Sequence, residues 1–348
     1  MRTNDLKYLF AYTIPIATLI SITSDGLLTY TTLLYAFIFI PVLESIFKDV
    51  ESKKEDSKPQ LENKASNIFF DILLYLNIPF VFGLLIVGLY NLTHSQLGYF
   101  ETTGMVLSLG ILLATNAINV GHELGHRKPI VERCLSKLLY LPCLYMHFYI
   151  EHNFGHHNNV ATPNDPATAK FNQTVYSFWI TSVFGQYISA WKLQLQLLKI
   201  NNRSFFSYKN DMFYYTIFQI TYLSFIYLFF GIYGLTLAVA IGVLSFLLLE
   251  TINYIEHYGL LREKLPSGRY ERVQSHHSWN SNHFIGRIVL YELTRHSDHH
   301  FKASKKYQIL ENKTESPQLP YGYPTSILLA LVPWVWFALV NPLLEERK

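Results

Sequence analysis

The chain has 348 residues, of which 50% are apolar, 16% are aromatic and only 15% are charged. Soluble proteins carry about 25% charged residues, so this composition excludes an ordinary soluble protein and indicates an integral membrane protein. A net charge of +3 is too small to indicate nucleic acid as a partner. The two cysteines, Cys134 and Cys143, form no C-x-x-C pair, so a metal site in this chain has to be built from histidine rather than thiolate.

Apolar stretches in chain order predict six membrane-spanning helices, because a span needs about 20 mostly apolar residues. The first stretch resembles a signal peptide but lacks a small-residue cleavage site, so we interpret it as a retained span. Two shorter stretches, 138–149 and 327–340, contain prolines and are predicted to be interfacial or re-entrant helices. The six predicted spans cover residues 7–22, 27–47, 67–92, 103–119, 212–230 and 232–252.

Charges in the links between spans predict the orientation, because loops rich in lysine and arginine stay cytoplasmic. The link 48–66 carries five lysines, whereas the links 23–26 and 93–102 carry no lysine or arginine. Both termini are therefore predicted to be cytoplasmic. The polar stretch 48–64 is predicted to be an exposed, mobile loop. No repeat of fixed period is visible, so residues 1–348 are predicted to form a single domain.

Nine of the fourteen histidines lie in four clusters, and the predicted topology places all four on the cytoplasmic face. Three clusters contain a pair spaced i, i+4, which points both rings to the same side of a helix. Neutral imidazole binds zinc, copper, iron and nickel, and nine rings are too many for one ion. We predict two metal ions with four or five imidazoles each. The predicted ligands are His122, His126, His152, His156, His157, His257, His296, His299 and His300.

Several other polar residues stand near these clusters. Metal-binding imidazoles usually donate their second N–H to a carboxylate or an amide. The predicted partners of the rings are Asn119, Glu123, Glu151, Asn153, Asp165, Glu250, Asn253, Glu256 and Asp298. Asp71, inside the third predicted span, has no assigned role. The histidines outside the four clusters are predicted to be hydrogen-bonding or loop residues: His94, His147, His276, His277 and His283.

Three functions are compatible with the histidine clusters and the predicted spans. The pentapeptide 122–126 matches the H-E-x-x-H pattern of zinc peptidases, so an intramembrane metalloprotease is one alternative, although it uses only two of the nine histidines. A metal carrier or sensor is disfavoured because only Asp71 and Glu250 supply ionisable side chains inside the spans. Two redox-capable ions beside apolar helices favour oxidation of a hydrocarbon that arrives from the lipid.

Four segments closely resemble the bacterial membrane alkane 1-monooxygenases: residues 119–127, 151–167, 253–260 and 293–300. Membrane fatty-acid desaturases share three histidine boxes. The His257-Tyr258-Gly259 box and the 162–166 segment are similar only to the alkane group and its relatives, the xylene-type methyl hydroxylases. Two residues depart from the family pattern: Phe154 stands where many members have arginine, and Thr294 where many have glutamine.

The resemblance implies an all-α enzyme of the bacterial inner membrane, with six transmembrane helices and a cytoplasmic helical cap. In the cap, the histidine clusters 122–157 and 257–300 would hold two iron ions. The implied reaction hydroxylates the terminal methyl of medium- to long-chain n-alkanes, with O₂ as co-substrate and electrons from rubredoxin. Rubredoxin is in turn reduced by an NADH-dependent rubredoxin reductase. Fatty acyl or aromatic methyl substrates are alternatives within the same superfamily.

Two further expectations follow from the resemblance. A fused rubredoxin needs four cysteines and this chain has two, so the electron donor is expected to be a separate protein. Its docking surface is predicted to be the cations Arg262, Arg269, Arg272, Lys302, Lys305 and Lys306. Terminal selectivity is expected from a narrow channel lined by spans one to four and six, with Phe37 and Phe39 as limits on chain length.

Overall fold

A computed structural model describes residues 3–47 and 57–346 of the chain. Within these ranges it contains helices, short turns and two isolated β-bridges but no β-strand, which confirms the all-helical prediction. The helices in chain order are α1 (Thr3–Thr23), α2 (Gly26–Ile46), α3 (Lys58–Ser66), α4 (Ile68–His94), α5 (Tyr99–Gly125), α6 (Ile130–Tyr140), α7 (148–159), α8 (Val175–Ile200), α9 (Asp211–His257), α10 (Phe284–Val289), α11 (His296–Phe301), α12 (Tyr323–Ala330) and α13 (Pro333–Glu345).

Five of these helices, α1, α2, α4, α5 and α9, are long and apolar enough to cross a membrane. The fifth, α9, has 47 residues but leaves helical geometry at Gly231, where φ is +66°, a backbone conformation that glycine adopts without strain. At its start Asp211 pairs with Lys137 of α6 at 2.6 Å, and its last residue, His257, lies among the clustered histidines. The chain therefore reverses at Gly231, and the fifth and sixth predicted spans are the two halves of α9.

The fourth predicted span is shorter than the helix that contains it. It was bounded at 103–119, whereas α5 runs from Tyr99 to Gly125. The polar last turns of α5 are buried by α6, and Ser136 Oγ donates to the Gly121 carbonyl at 2.6 Å. Because protein rather than lipid surrounds this end, an apolar stretch underestimates the helix, and His122 lies inside it.

The stretch 138–149 is not one helix, so the prediction of an interfacial or re-entrant helix was wrong there. It contains the end of α6, a buried loop and the start of α7. The Pro142 carbonyl and the Leu144 side chain lie so close to Gly242 of α9 that a Cβ there would meet each at 3.1 Å. The loop thus enters the bundle and depends on a glycine in α9.

The stretch 327–340 spans parts of α12 and α13, which are bent by 119° relative to each other. Trp334 is 73% exposed and Trp336 is 1% exposed, so only the first can lie at a headgroup level. In the polar stretch 48–64, residues 48–56 lie outside the described part of the chain. Residues from Lys58 onward form the helix α3 with a capping box at Ser57, so the loop prediction was wrong there.

Helix α8 was not predicted. One face is buried, and its Ser182 and Gln186 donate to Glu250 of α9 at 2.5 and 2.9 Å. On the outer face Ile180, Phe184 and other apolar side chains are exposed. Its apolar residues therefore surround the helix without forming one continuous run, which explains why a search for spans missed it.

A buried ion-pair cluster joins the start of α1 to the segment before α11. Glu292 accepts a hydrogen bond from Tyr8 at 2.9 Å and pairs with Arg287 at 2.7 Å and with Arg295 and Lys7 at 3.5 Å. Burial alone would raise the pKa of Glu292, but Arg287, then Arg295 and Lys7, outweigh it and lower the pKa from 4.5 to about 2. The ionised form therefore stabilises the fold.

We expect this cluster to give an acid-dependent stability. Because the pKa is lower in the folded than in the unfolded state, the contribution is complete above about pH 4.5 and disappears as the pH falls towards 2. At neutral pH the Glu292→Gln variant should be less stable by about 3 kcal/mol. Thermal midpoints of both proteins in detergent, measured from pH 7 to pH 3, should converge on acidification. A gap that is constant across this range would contradict the assignment.

Candidate metal centre

Nine histidines lie together at one end of the helix bundle. His122 lies in the last turn of α5 and His126 follows it directly, while His257 ends α9. The short helices α7 and α11 carry the other six: His152, His156, His157, His296, His299 and His300. Segments separated by more than a hundred residues therefore meet because α5 and both ends of α9 reach the same end of the bundle.

The nine rings form two adjacent groups. Within each group, one nitrogen per ring lies within 4.8 Å of all the others. The five-histidine group consists of His122, His126, His152, His157 and His299. The four-histidine group consists of His156, His257, His296 and His300. The ring centres of His157 and His300, one from each group, are 4.6 Å apart, so the two groups share a boundary.

A wide π turn over Glu151–His156 divides the histidines of α7 between the two groups. The i, i+4 spacing predicted that the rings of His152 and His156 point to the same side of a helix, and the two rings are stacked with their centres 5.1 Å apart. They nevertheless belong to different groups: His152 to the five-histidine group with His157, and His156 to the other. The wider π turn brings Nε2 of His157 to 3.0 Å from Nε2 of His152. The other two i, i+4 pairs each stay within one group.

The converging ring nitrogens fit a cation better than a hydrogen-bond network. Nε2 of His152 lies 2.6, 3.2 and 3.0 Å from Nε2 of His122, His126 and His157. A neutral ring nitrogen carries one proton or one lone pair, so it can bond to only one of them. Imidazole nitrogens bind a metal at about 2.0–2.1 Å, which places the ligands of one ion roughly 3 Å apart.

Burial favours the uncharged form of several of these rings. Desolvation, with a smaller contribution from the neighbouring His156, lowers the pKa of His157 to about 3. Desolvation, reinforced by other rings, also holds the pKa values of His152, His296 and His299 well below 6.5. Neutral imidazole is the form that coordinates a metal, so these four rings are already in that form at neutral pH.

Two carboxylates orient rings of the four-histidine group. His156 Nδ1 donates to Asp165 at 2.9 Å, and His296 Nδ1 lies 3.3 Å from Glu256. Both rings turn Nε2 towards other histidines. Such contacts fix the orientation and tautomer of metal ligands, and both carboxylates were predicted.

Glu123 and Asp71 belong to a charge cluster rather than to the rings. Arg127 binds Glu123 at 2.7 Å and Asp71 at 3.1 Å, and Lys306 binds Asp71 at 3.0 Å. Glu123 also accepts the Tyr307 amide. We call these residues the Arg127 cluster. It joins the ends of α4 and α5 to the segment after α11, which gives Asp71, near the start of α4, the role that the sequence left open.

The other predicted partners bond to groups that are not imidazoles. Glu250 accepts four side-chain donors from α8, α9 and Tyr145. Asp298 binds Lys305 at 2.7 Å. Within the part of the chain that the structure describes, the predicted partners without a hydrogen bond to a clustered imidazole are Asn119, Glu123, Glu151, Asn153, Glu250, Asn253 and Asp298.

The histidines predicted to be unrelated to the clusters lie outside both groups. His94 is exposed and bonds within α4, His147 packs between tyrosines, and His283 contacts Ser281. His276 and His277 form a third, partly exposed group with Glu271. Nδ1 of His277 accepts the Gln274 amide and Nε2 contacts Glu271 at 3.1 Å, so both of its nitrogens are already engaged.

Comparison with known proteins identifies the family to which this chain belongs. The fatty acid desaturase family model matches residues 100–330. An alkane 1-monooxygenase of Ectopseudomonas oleovorans is 37% identical over 92% of this chain and 79% of its own length. Alkane 1-monooxygenase 1 of Alcanivorax borkumensis is 38% identical over 88% of this chain and 74% of its own.

The chain belongs to the alkane 1-monooxygenase family. The hydroxylase component of a xylene/toluene monooxygenase from Pseudomonas putida is also similar, at 30% identity over 80% of this chain and 74% of its own. The resemblance seen in the four histidine-containing segments is therefore confirmed over most of the chain.

A narrow cavity of about 40 Å³ adjoins both histidine groups of this monooxygenase-family protein. His122, His152 and His296 form one side of it, and apolar side chains such as Leu249 and Ile252 of α9 form much of the rest. Since one buried water needs roughly 10–15 Å³, the cavity has space for the end of a hydrocarbon chain but not for a whole one.

The residues expected to limit chain length do not line this cavity. Phe37 is half-buried and packs against the hydrophobic core, and Phe39 is 49% exposed. The two departures from the monooxygenase pattern also differ in place. Phe154 is 44% exposed, whereas Thr294 is buried and lines the cavity.

Proposed function

We propose that this protein is a di-iron monooxygenase that hydroxylates the terminal methyl of medium- to long-chain n-alkanes. The observation that carries the proposal is the pair of converging imidazole groups, five and four, beside an apolar cavity. One iron would be held by His122, His126, His152, His157 and His299, and the other by His156, His257, His296 and His300. When bound, the irons supply the activation of O₂ and the redox chemistry of C–H oxidation.

The balanced overall reaction shows which reactants the enzyme needs. An alkane, O₂, two electrons and two protons give a primary alcohol and water. The irons are not consumed, so both electrons come from a donor, which we propose to be a separate rubredoxin supplied by an NADH-dependent reductase. Rubredoxin is proposed as the electron donor because the chain belongs to the alkane 1-monooxygenase family.

The chain's own side chains position the substrate and exclude water. Ile118, Leu249, Ile252, Leu290 and Leu293 give the cavity its apolar wall, which favours a hydrocarbon end over water. Only the end of a chain fits the cavity, so a terminal methyl is presented to the histidine groups more readily than an internal methylene. Orientation of this kind accounts for a large share of the rate in many enzymes.

We place the histidine-bearing end in the cytoplasm of a bacterium, with six spans in the inner membrane and both termini inside. The lysine-rich link 48–66 and the links 23–26 and 93–102 without cations support this orientation. It also gives a soluble electron donor access to the site.

The zinc-peptidase alternative is disfavoured by the surroundings of Glu123. A general base must reach a metal-bound water, whereas Glu123 is ion-paired with Arg127 at 2.7 Å and bonded to the Tyr307 amide. The H-E-x-x-H match therefore supplies two ligands without the base.

The deciding experiment combines the purified protein with rubredoxin, its reductase, NADH and n-octane or n-dodecane. Gas chromatography should detect the 1-alkanol, and metal analysis should find two irons per chain. Iron-loaded protein that oxidises neither alkane would refute the alkane assignment. Product from p-xylene or from a fatty acid instead would identify the aromatic methyl or acyl alternative.

The predicted docking cations are of two kinds. Lys305 binds Asp298 at 2.7 Å, Lys306 belongs to the Arg127 cluster, and Arg262 donates to backbone carbonyls. Arg269, Arg272 and Lys302 are exposed, and no ion pair holds them within residues 3–47 and 57–346. Only the second kind is available to an acidic partner without loss of internal contacts.

We expect the triple variant Arg269→Glu, Arg272→Glu, Lys302→Glu to raise the KM for rubredoxin several-fold at low salt, because long-range attraction becomes repulsion. Added salt should narrow the difference by screening. Steady-state NADH oxidation at 20 and 200 mM NaCl measures both effects. A matched control is Lys192→Glu, an exposed lysine of α8. Equal KM values for all three proteins at low salt would exclude this surface.

A further inference from the structure

Helix α8 has polar side chains on its buried face and apolar side chains on its outer face. A surface helix of a soluble protein has the opposite arrangement. The buried face of α8 includes Ser182, Gln186 and Gln194, whereas Ile180, Phe184 and other apolar side chains are exposed on the outer face. A contiguous apolar surface of this kind marks a contact with lipid or protein, and in a protein with membrane-spanning helices the adjacent medium is lipid.

This helix lies along one end of the bundle instead of crossing the membrane. It is not among the described helices that are apolar enough to span. Near its start, Trp179 donates to Thr251 in the last turns of α9 at 3.0 Å. Further along, Gln194 donates at 3.0 Å to the carbonyl of Lys209, just before α9 begins. Both ends of α8 therefore stay at the histidine-bearing end, as in a helix that lies at the membrane surface.

The segment 199–210, which we call the α8–α9 corner, is covered by aromatic rings. Phe205 stacks on Trp191 of α8 with ring centres 6.1 Å apart, and the ring centre of Phe206 is 5.3 Å from that of Phe205. Phe206 is 75% exposed and Tyr208 is 68% exposed. Aromatic side chains are enriched where a span meets the lipid headgroups, and the corner directly precedes the apolar helix α9. The corner therefore lies at headgroup level.

The same corner is positively charged. Between residues 166 and 210 the chain has five lysines and arginines and no aspartate or glutamate. Lys199, Arg203 and Lys209 are exposed, and none of them forms an ion pair with the described part of the chain. Exposed cations beside a membrane span attract anionic lipids, and a phosphate accepts charge-assisted hydrogen bonds from lysine and arginine. The charge of the corner is thus complementary to an anionic headgroup.

We propose that the α8–α9 corner binds the headgroup of an anionic phospholipid and that the outer face of α8 contacts the acyl chains. A zwitterionic headgroup has a cation of its own, so the corner should discriminate against it. Since lipid that binds the folded state stabilises it, an anionic lipid should also raise the stability of the protein. This binding is separate from the proposed oxidation, which takes place at the histidine groups.

Lipid titration of the whole chain in a neutral detergent, followed by native mass spectrometry, tests the proposal. Dioleoyl phosphatidylglycerol should bind more tightly than dioleoyl phosphatidylcholine. In the triple variant Lys199→Gln, Arg203→Gln, Lys209→Gln, the affinity for phosphatidylglycerol should fall about 10- to 100-fold, since each cation at an anionic lipid surface contributes roughly a factor of five. The affinity for phosphatidylcholine should change little, so the preference should disappear.

A matched control removes the same number of exposed cations elsewhere. The variant Arg269→Gln, Arg272→Gln, Lys302→Gln changes the net charge equally but leaves the corner intact, so its affinity for phosphatidylglycerol should be unchanged. Thermal midpoints without added lipid should agree for all three proteins, because exposed charges contribute little to stability. Added phosphatidylglycerol should then raise the midpoints of the unaltered protein and the control by more than that of the corner variant.

Three results would overturn the proposal. The first is an unaltered protein that binds both lipids equally, and the second is an equal loss of phosphatidylglycerol affinity in the corner variant and the control. The third is an unchanged phosphatidylglycerol affinity in the corner variant together with a raised KM for rubredoxin, which would assign the corner to an acidic protein. The lipid affinities are measured without turnover, so a failure of alkane oxidation would contradict the proposed function alone.

Discussion

Replacing His257 by alanine should remove one metal ion and abolish alkane hydroxylation, whereas replacing His126 should have a milder effect on metal content. His257 belongs to the four-histidine group, which is left with three nitrogens. His126 belongs to the five-histidine group, which is left with four, the number that completes a tetrahedral site. Metal analysis of the purified variants should therefore find close to one iron per chain for His257→Ala and a higher value for His126→Ala.

His147→Ala is the control for these variants. His147 is buried near α7, as the ligands are, but belongs to neither group. The His147→Ala variant should retain two irons per chain and should still form the 1-alkanol. The assignment fails if His147→Ala loses as much iron as His257→Ala, because metal loss would then reflect general damage to this end of the bundle.

Replacing Arg127 by methionine should be among the most destabilising changes outside the histidines. The side chains of Arg127 and Glu123 are 5% and 2% exposed, so the variant leaves the charge of Glu123 buried without its main partner. Breaking a buried ion pair from one side costs about 3–5 kcal/mol. The thermal midpoint in detergent should fall, and iron should be lost because the Arg127 cluster holds the end of α5 that carries His122 and His126.

The double variant Glu123→Gln, Arg127→Met separates charge from shape. It removes both buried charges, so it should recover part of the stability lost in the single variant. Arg269→Met removes an exposed cation and should change the midpoint little. If all three variants lose the same stability, the Arg127 cluster does not act as an ion pair.

The sequence predicted the members of the histidine set better than their arrangement. Their spacing and the alternation of spans bring all nine to one end, which is what the structure has. The division of His152 and His156 between groups was not predictable from spacing, because it depends on a π turn that no single residue type marks. Asp71 lies inside the third candidate span, near its start, as predicted, but its pairing with residues far away in the chain was not predictable from its apolar neighbours.

Helix boundaries and surface helices were the least predictable parts of the fold. A search for apolar runs finds lipid-facing segments, so it located α1, α2 and α4 well. The predicted fourth span ended at residue 119, before the end of α5 at Gly125, because protein contacts rather than lipid surround that end of the helix. The search did not find α8, whose buried face carries polar side chains that meet Glu250. These features depend on partners that are distant in sequence.

The π turn of α7 makes the division of the histidines into two groups a property of backbone winding. In an ordinary α-helix, residues four apart lie on one face, whereas the wider turn brings Nε2 of His157, five residues after His152, to within 3.0 Å of Nε2 of His152. The turn thus places His152 and His157 in one group and His156 in the other, within a segment only six residues long. A deletion of one residue between His152 and His156 should therefore keep every imidazole but change which rings converge.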